Sequence, residues 1–222
     1  MRNQYLMKLE SLDEELVKMG AMCEESIASA TYALLQQQPD LLETTLENYR
    51  LIHQKGRDVE NLCMKLLLRE QPVASDLRRI SSALKIVYDM SRISDQASEV
   101  AQIILQIDSE KVLCKEAIKA MAEDTLKMVT NSIDAFVKKD LDLSQSVVSS
   151  DDVIDQSYVK IKKNLIQLLS ENQNDAELCV DLLLITKYLE RIADHACNIA
   201  KWVVYTITGK IAGEQDDLYF GR

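Results

Sequence analysis

The 222-residue chain carries 36 acidic against 26 basic residues, a net charge of −10, and no Lys/Arg-rich block, so it lacks the electrostatic footprint of a nucleic-acid binder. It is 47% hydrophobic with only 5% aromatic residues, which calls for a core of aliphatic side chains. Five glycines and two prolines supply too little turn chemistry to join many strands and argue against a sandwich, a barrel or a Rossmann-type sheet.

The first twenty residues, MRNQYLMKLESLDEELVKMG, place acids early and show no apolar run before a small-residue cleavage site, so they read as a mature start and not as a signal peptide. Leu6, Leu9, Leu12, Leu16 and Met19 recur at steps of three and four, which predicts a first helix from about Arg2 to Gln36, roughly 50 Å long. Pro39 and Pro72 each precede a fresh apolar periodicity and are expected to mark helix starts. The second helix is then expected from Leu41 to about Glu70 and the third from Ser75 to about Ile107. Asp108 and Ser109 offer an N-cap for a fourth helix. Short joints are expected near 37–39, 71–74, 108–111, 139–142 and 170–175. Gly209 is expected to end the last helix, ahead of a loose acidic tail. The longest apolar run, Cys179 to Ile185, is broken by Asp181, so no segment is expected to span a membrane. Five cysteines without a Cys-x-x-Cys spacing read as reduced core thiols of a cytosolic protein.

The pattern then repeats. Ala83, Ile86, Met90, Ile93, Ala97, Val100 and Ile104 map by a shift of 99 onto Leu182, Ile185, Leu189, Ile192, Ala196, Ile199 and Val203, and every position stays apolar. A shift of 102 relates Leu46, Ile52, Val59, Cys63 and Leu66 to Val148, Ile154, Ile161, Leu165 and Leu168. Twelve basic and 17 acidic residues precede Ser109, and 14 and 19 follow from it onward, so each half carries −5. The expected fold is all-α: two tandem, pseudo-repeated three-helix bundles of six long helices, over residues 1–108 and 109–208, with a tail at 209–222.

Some carboxylates sit oddly in such a bundle. In the fifth helix Asp151 falls in the apolar stripe where a leucine belongs, and Asp155 shares its face one turn on. The sixth helix offers Glu190 and Asp194 at the same spacing, with His195 beside them. Either pair alone suits a solvated helix face, but together they would make an oxygen-rich cage for a hard or borderline cation such as Fe, Mn, Mg or Zn. A ferritin-like di-iron enzyme would need Glu-x-x-His on two helices, and that motif is absent, as are a phosphate-cradling glycine loop and Gly-x-Ser-x-Gly.

The segments YLERIADHACNIA (188–200) and EQPVASDLR (70–78), spaced within a doubled three-helix unit, resemble the PhoU family of regulators accessory to bacterial phosphate-specific transport. The resemblance implies a cytoplasmic, non-catalytic protein, often a homodimer, that represses phosphate uptake and the starvation response when phosphate is plentiful. It implies as partners the ATPase subunit of the phosphate ABC transporter and the phosphate-sensing histidine kinase, with the membrane reached only through them. It also implies metal, in some members a multinuclear cluster, held by acidic motifs, which here would be Asp151, Asp155, Glu190 and Asp194. In the first repeat the equivalents of Asp151 and Asp155 are Tyr49 and His53, so a weaker site there would rest on Asp95, Glu99 and His53. A carboxylate-bridged metalloenzyme and a purely structural scaffold are the competing classes.

Overall fold

The computed structural model describes residues 2–36, 38, 40–108, 111–171 and 176–210. Among them the aliphatic stripes wind into six helices: α1 (Arg2–Gln36), α2 (Leu41–Glu70), α3 (Ala74–Ile104), α4 (Lys115–Lys138), α5 (Leu141–Glu171) and α6 (Ala176–Thr208). They make two consecutive three-helix units. In the first, α1, α2 and α3 all pack on one another; in the second, α6 packs on α4 and α5, and α4 on α5. Two seams join the units, α1 against α4 and α3 against α6, and the latter is the most extensive contact in the fold.

Every position of the α3 stripe and of its counterpart in α6 is buried, and the buried aliphatic residues form one core through both units. The α2 and α5 stripes are buried in their middles, at Ile52, Val59, Cys63 and Leu66 and at Ile154, Ile161 and Leu165, whereas Leu46, Val148 and Leu168 are half-buried. Glycine lets two helix pairs approach closely. A Cβ on Gly20 of α1 would stand 2.7 Å from Ile133 Cδ1 of α4, and one on Gly56 of α2 would stand 3.3 Å from Ser91 Oγ of α3. None of the five cysteines forms a disulfide; Cys114 is half-buried and the others are buried. No helix among the described residues is long and apolar enough to cross a membrane.

The helix ends depart from expectation in three places. Pro72 is not in the first turn of α3 but ahead of its N-cap, Val73. The chain reverses there within three residues, using a left-handed Gln71 (φ 46°) and an extended Val73 (φ −80°, ψ 170°), so proline is part of the turn itself. The third helix stops at Ile104, not Ile107, and the fourth starts at Lys115, not near Asp108. The connection between the units is therefore longer than a short joint, because Ile107, Val112, Leu113 and Cys114 pack on the core as irregular cover and a left-handed Cys114 (φ 54°) opens α4. At the α4–α5 joint, Lys139 is left-handed (φ 52°) and Asp140 caps α5 by accepting the Leu143 N–H at 2.9 Å. Pro39, Ser109, the joint residues 172–175 and the tail 211–222 lie outside the described residues.

Candidate functional site

The second-repeat acids lie along the groove between α5 and α6. Asp151 does not enter the core as a leucine would: it is half-buried on the flank of α5, beside buried Ile154, and Asp155 and Asp194 are exposed. The four carboxylates nonetheless sense one another. Partial desolvation, then the negative charges of Asp155, Asp152 and Glu190, push the Asp151 carboxyl up from its ordinary value against the pull of Lys201. Desolvation, then Glu190, Asp151 and Asp155, raise that of Asp194, opposed by Lys187. Glu190 is held by a Lys187 ammonium that also stands 5.2 Å from the Tyr158 ring centroid. Buried Cys197 lies in the same field, and desolvation followed by Asp151 raises its thiol, which stays protonated at neutral pH.

Among the described residues no three His, Cys, Asp or Glu side chains converge closely enough to hold an ion. The donor chemistry fits a hard cation all the same: four carboxylates in a shared field gain from a positive charge placed among them, and Glu190 already recruits one from Lys187. The lysines at 187 and 201 are the groups that such a cation would displace or repel. Lys187 was visible as a neighbour of Glu190 in the sequence; Lys201 was not, because its link to Asp151 crosses between helices.

The first-repeat residues are arranged differently. His53 Nε2 and Asp95 Oδ1 are 2.8 Å apart, Arg92 Nη1 donates to Asp95 Oδ2 at 2.6 Å, and Tyr49 packs edge-on against His53 with centroids 4.7 Å apart. His53 and Asp95 are thus brought together, while Glu99 is exposed one turn along α3. Both oxygens of Asp95 are already in use, which leaves this end less suited to a cation than the α5–α6 groove.

His195 does not turn toward Asp194. Its Nδ1 is 2.9 Å from Asp89 Oδ1 on α3, with the two side chains 19% and 6% exposed, so it ties the repeats together across the α3–α6 seam. Asp89 escaped the sequence reading because its counterpart at the 99-residue shift is Tyr188, not an acid. The EQPVASDLR segment, with the Arg79 that follows it, ties α1 to the first unit: Lys8 bonds Glu70 at 2.6 Å, the Tyr5 hydroxyl donates to Asp76 at 2.9 Å, and Arg79 pairs with Asp13 and donates to the Leu9 carbonyl. Burial, then the Asp76 hydrogen bond, raises the Tyr5 phenol to about 12.

Known proteins share this architecture along nearly the whole chain. The PhoU domain matches residues 16–104 and again 118–203, one match per three-helix unit. A phosphate-specific transport system accessory protein PhoU homolog of Clostridium acetobutylicum is 35% identical over 205 residues, covering 91% of this chain and 93% of the relative. The homolog from Pseudomonas aeruginosa is 33% identical, covering 93% of this chain and 86% of that protein. The crystal structure of PhoU from Pseudomonas aeruginosa superposes with a TM-score of 0.90 at 32% identity, covering 93% of this chain and all of that one. With two matched domains on a doubled all-helical fold, the chain belongs to the PhoU family.

Proposed function

We propose that this protein is a non-catalytic regulator of phosphate uptake and of phosphate-starvation signalling. The observation that carries the reading is the double PhoU domain together with relatives that span over nine-tenths of the chain and are named accessory proteins of phosphate-specific transport. It acts by binding: contact with the phosphate ABC transporter ATPase subunit and with the phosphate-sensing histidine kinase stabilises one state of each over another, repressing both when phosphate is plentiful. Five cysteines outside any disulfide, four of them buried, suit the reducing cytoplasm where both partner surfaces are presented. As a homodimer the protein would offer each partner two equivalent faces.

A metal ion belongs to the same reading. Asp151, Asp155, Glu190 and Asp194 would hold it, and it would supply positive charge that neutralises their mutual repulsion and stiffens the α5–α6 groove. The chain's own residues set the terms. Lys187 would release Glu190 and Lys201 would move off Asp151, since both ammonium groups compete with the cation for these carboxylates. Metal identity among Fe, Mn, Zn and Mg follows from loading, not from the carboxylates, which all four accept.

The test is phosphate uptake in bacteria deleted for their own accessory protein. Expression of this chain is expected to restore repression of uptake and of the starvation response in phosphate-rich medium. Uptake that stays derepressed despite a folded, expressed protein contradicts the reading.

A further inference from the structure

Where α3 begins and α6 ends, the facing stretches of the two helices hold no acid. Neither Leu77 to Tyr88 nor His195 to Lys210 contains Asp or Glu, while together they carry Arg78, Arg79, Lys85, Lys201 and Lys210. In a chain whose net charge is −10 this is a local excess of positive charge. Arg79 is taken by Asp13, and Lys201 acts on Asp151. The acids just beyond are engaged as well, Asp76 by the Tyr5 hydroxyl and buried Asp89 by His195. Arg78 and Lys85 form no ion pair among the described residues, and Arg78 Nε is buried without a hydrogen-bond partner.

The same stretch is aromatic. Trp202, the only tryptophan of the chain, meets Tyr205 edge to face with centroids 5.8 Å apart, and Lys85 Nζ stands 5.8 Å from the Trp202 ring centroid. Leu77 and Tyr88, on the Lys85 face of α3 by helical spacing, are 47% and 59% exposed. Exposed rings beside cations without ion pairs fit a segment that is both acidic and aromatic.

The chain supplies such a segment next to this face. Residues 211–222 read IAGEQDDLYFGR, with the acids Glu214, Asp216 and Asp217 ahead of Leu218, Tyr219 and Phe220, and Arg222 as their only base. They follow α6 at the cationic end: Gly209, left-handed at φ 77°, lies against Arg78, whose Nη1 would stand 3.6 Å from a Cβ placed there. From Arg78, Lys85 is about 10 Å and Tyr88 about 15 Å further along α3. The eight residues from Gly209 to Asp217 span up to about 27 Å when extended, which exceeds both. Tethering presents the segment at an effective concentration of about millimolar, so modest contacts suffice.

We propose that residues 214–220 dock back on this face of their own chain. Glu214, Asp216 and Asp217 lie against Arg78 and Lys85, and Leu218, Tyr219 and Phe220 cover Trp202 and Tyr88. The segment is then a built-in cover, which any partner using this face has to displace. The inference depends neither on the regulatory reading nor on a metal.

Trp202 reports on the cover directly, through quenching of its fluorescence by acrylamide, an uncharged probe, in the full-length protein. Glu214→Gln/Asp216→Asn/Asp217→Asn is expected to raise the quenching constant roughly 1.5-fold or more as the docked population falls. Leu218→Ser/Phe220→Ser is expected to raise it too. High salt should bring the wild type up to the acid variant and leave that variant unchanged. All substitutions lie outside the six helices, so an unchanged circular-dichroism melt accompanies each. The proposal is overturned if the acid variant is quenched like the wild type, or if salt raises both equally. Wild-type quenching that falls with protein concentration and ignores the tail variants also overturns it, because a second copy is then the cover.

Discussion

Replacing Gly20 with alanine sets two effects of known sign against each other. Alanine is favoured over glycine inside a helix by about 1 kcal/mol, so an unconstrained Gly20→Ala would stabilise α1. Here the new methyl would stand 2.7 Å from Ile133 Cδ1, 3.0 Å from Cγ1 and 3.1 Å from Cγ2. A flexible side-chain end could swing away from the first contact. The other two belong to the branch point of a buried β-branched residue, whose rotamer is stiff in a helix, so α1 and α4 must move apart. Overpacking of this kind typically costs about 1–3 kcal/mol. Net of propensity, Gly20→Ala is expected to destabilise by about 1 kcal/mol and to lower the melting temperature by roughly 2–4 °C. Gly56→Ala is the control: its closest contact, 3.3 Å to Ser91 Oγ, is with a single rotatable hydroxyl, so propensity wins and the change is neutral to stabilising. Urea unfolding of a cycle with Ile133→Val, which removes the nearest atom, provides the check. The double variant should lose less than the sum of the single losses. Strict additivity, or a Gly20→Ala protein as stable as Gly56→Ala, refutes the claim that the α1–α4 seam is set by this contact.

Three further outcomes follow from the described contacts. His195→Ala leaves the Asp89 carboxylate, 6% exposed, without its partner and is expected to cost about 2–4 kcal/mol in urea unfolding, whereas Asp89→Asn keeps a hydrogen-bonding group there and costs less. The folded-state carboxyl of Asp194 titrates above its ordinary value, so its charge opposes folding at neutral pH and ceases to do so once pH falls below the ordinary carboxylate range. In metal-free protein Asp194→Asn should therefore raise the melting temperature at pH 7 by about 1 °C, with the gap closing on acidification; a gap constant with pH contradicts the cause assigned. Plasma mass spectrometry of protein purified without chelator should find metal in the wild type and a loss of it in Asp151→Asn/Asp194→Asn, and equal content in both speaks against the α5–α6 groove as its holder.

Periodicity made the helices legible, since an aliphatic stripe at steps of three and four leaves little choice of buried face, and its recurrence at shifts of 99 and 102 residues exposed the doubled unit. Ends were less legible. Whether Pro72 opens a helix or stands in the turn before it depends on the conformations of Gln71 and Val73, and nothing in the letters announces that Cys114 adopts a left-handed conformation. The acids on α5 and α6 stood out because Asp151 interrupts a stripe, but an apolar pattern does not separate the core from its flank, where Asp151 resides. Asp89 gave no signal at all. Its meaning depends on which residue the antiparallel α3–α6 seam sets opposite it, and partners 106 residues apart in sequence become visible only once the two stripes are packed.

The central claim is regulation by direct binding, and the affinity of the purified protein for the phosphate-transporter ATPase subunit, measured by interferometry with that subunit immobilised, tests it most directly. Saturable binding with a dissociation constant of about 10 µM or tighter is the predicted result. No saturable binding up to about 100 µM, by a protein with a cooperative melt, would contradict it.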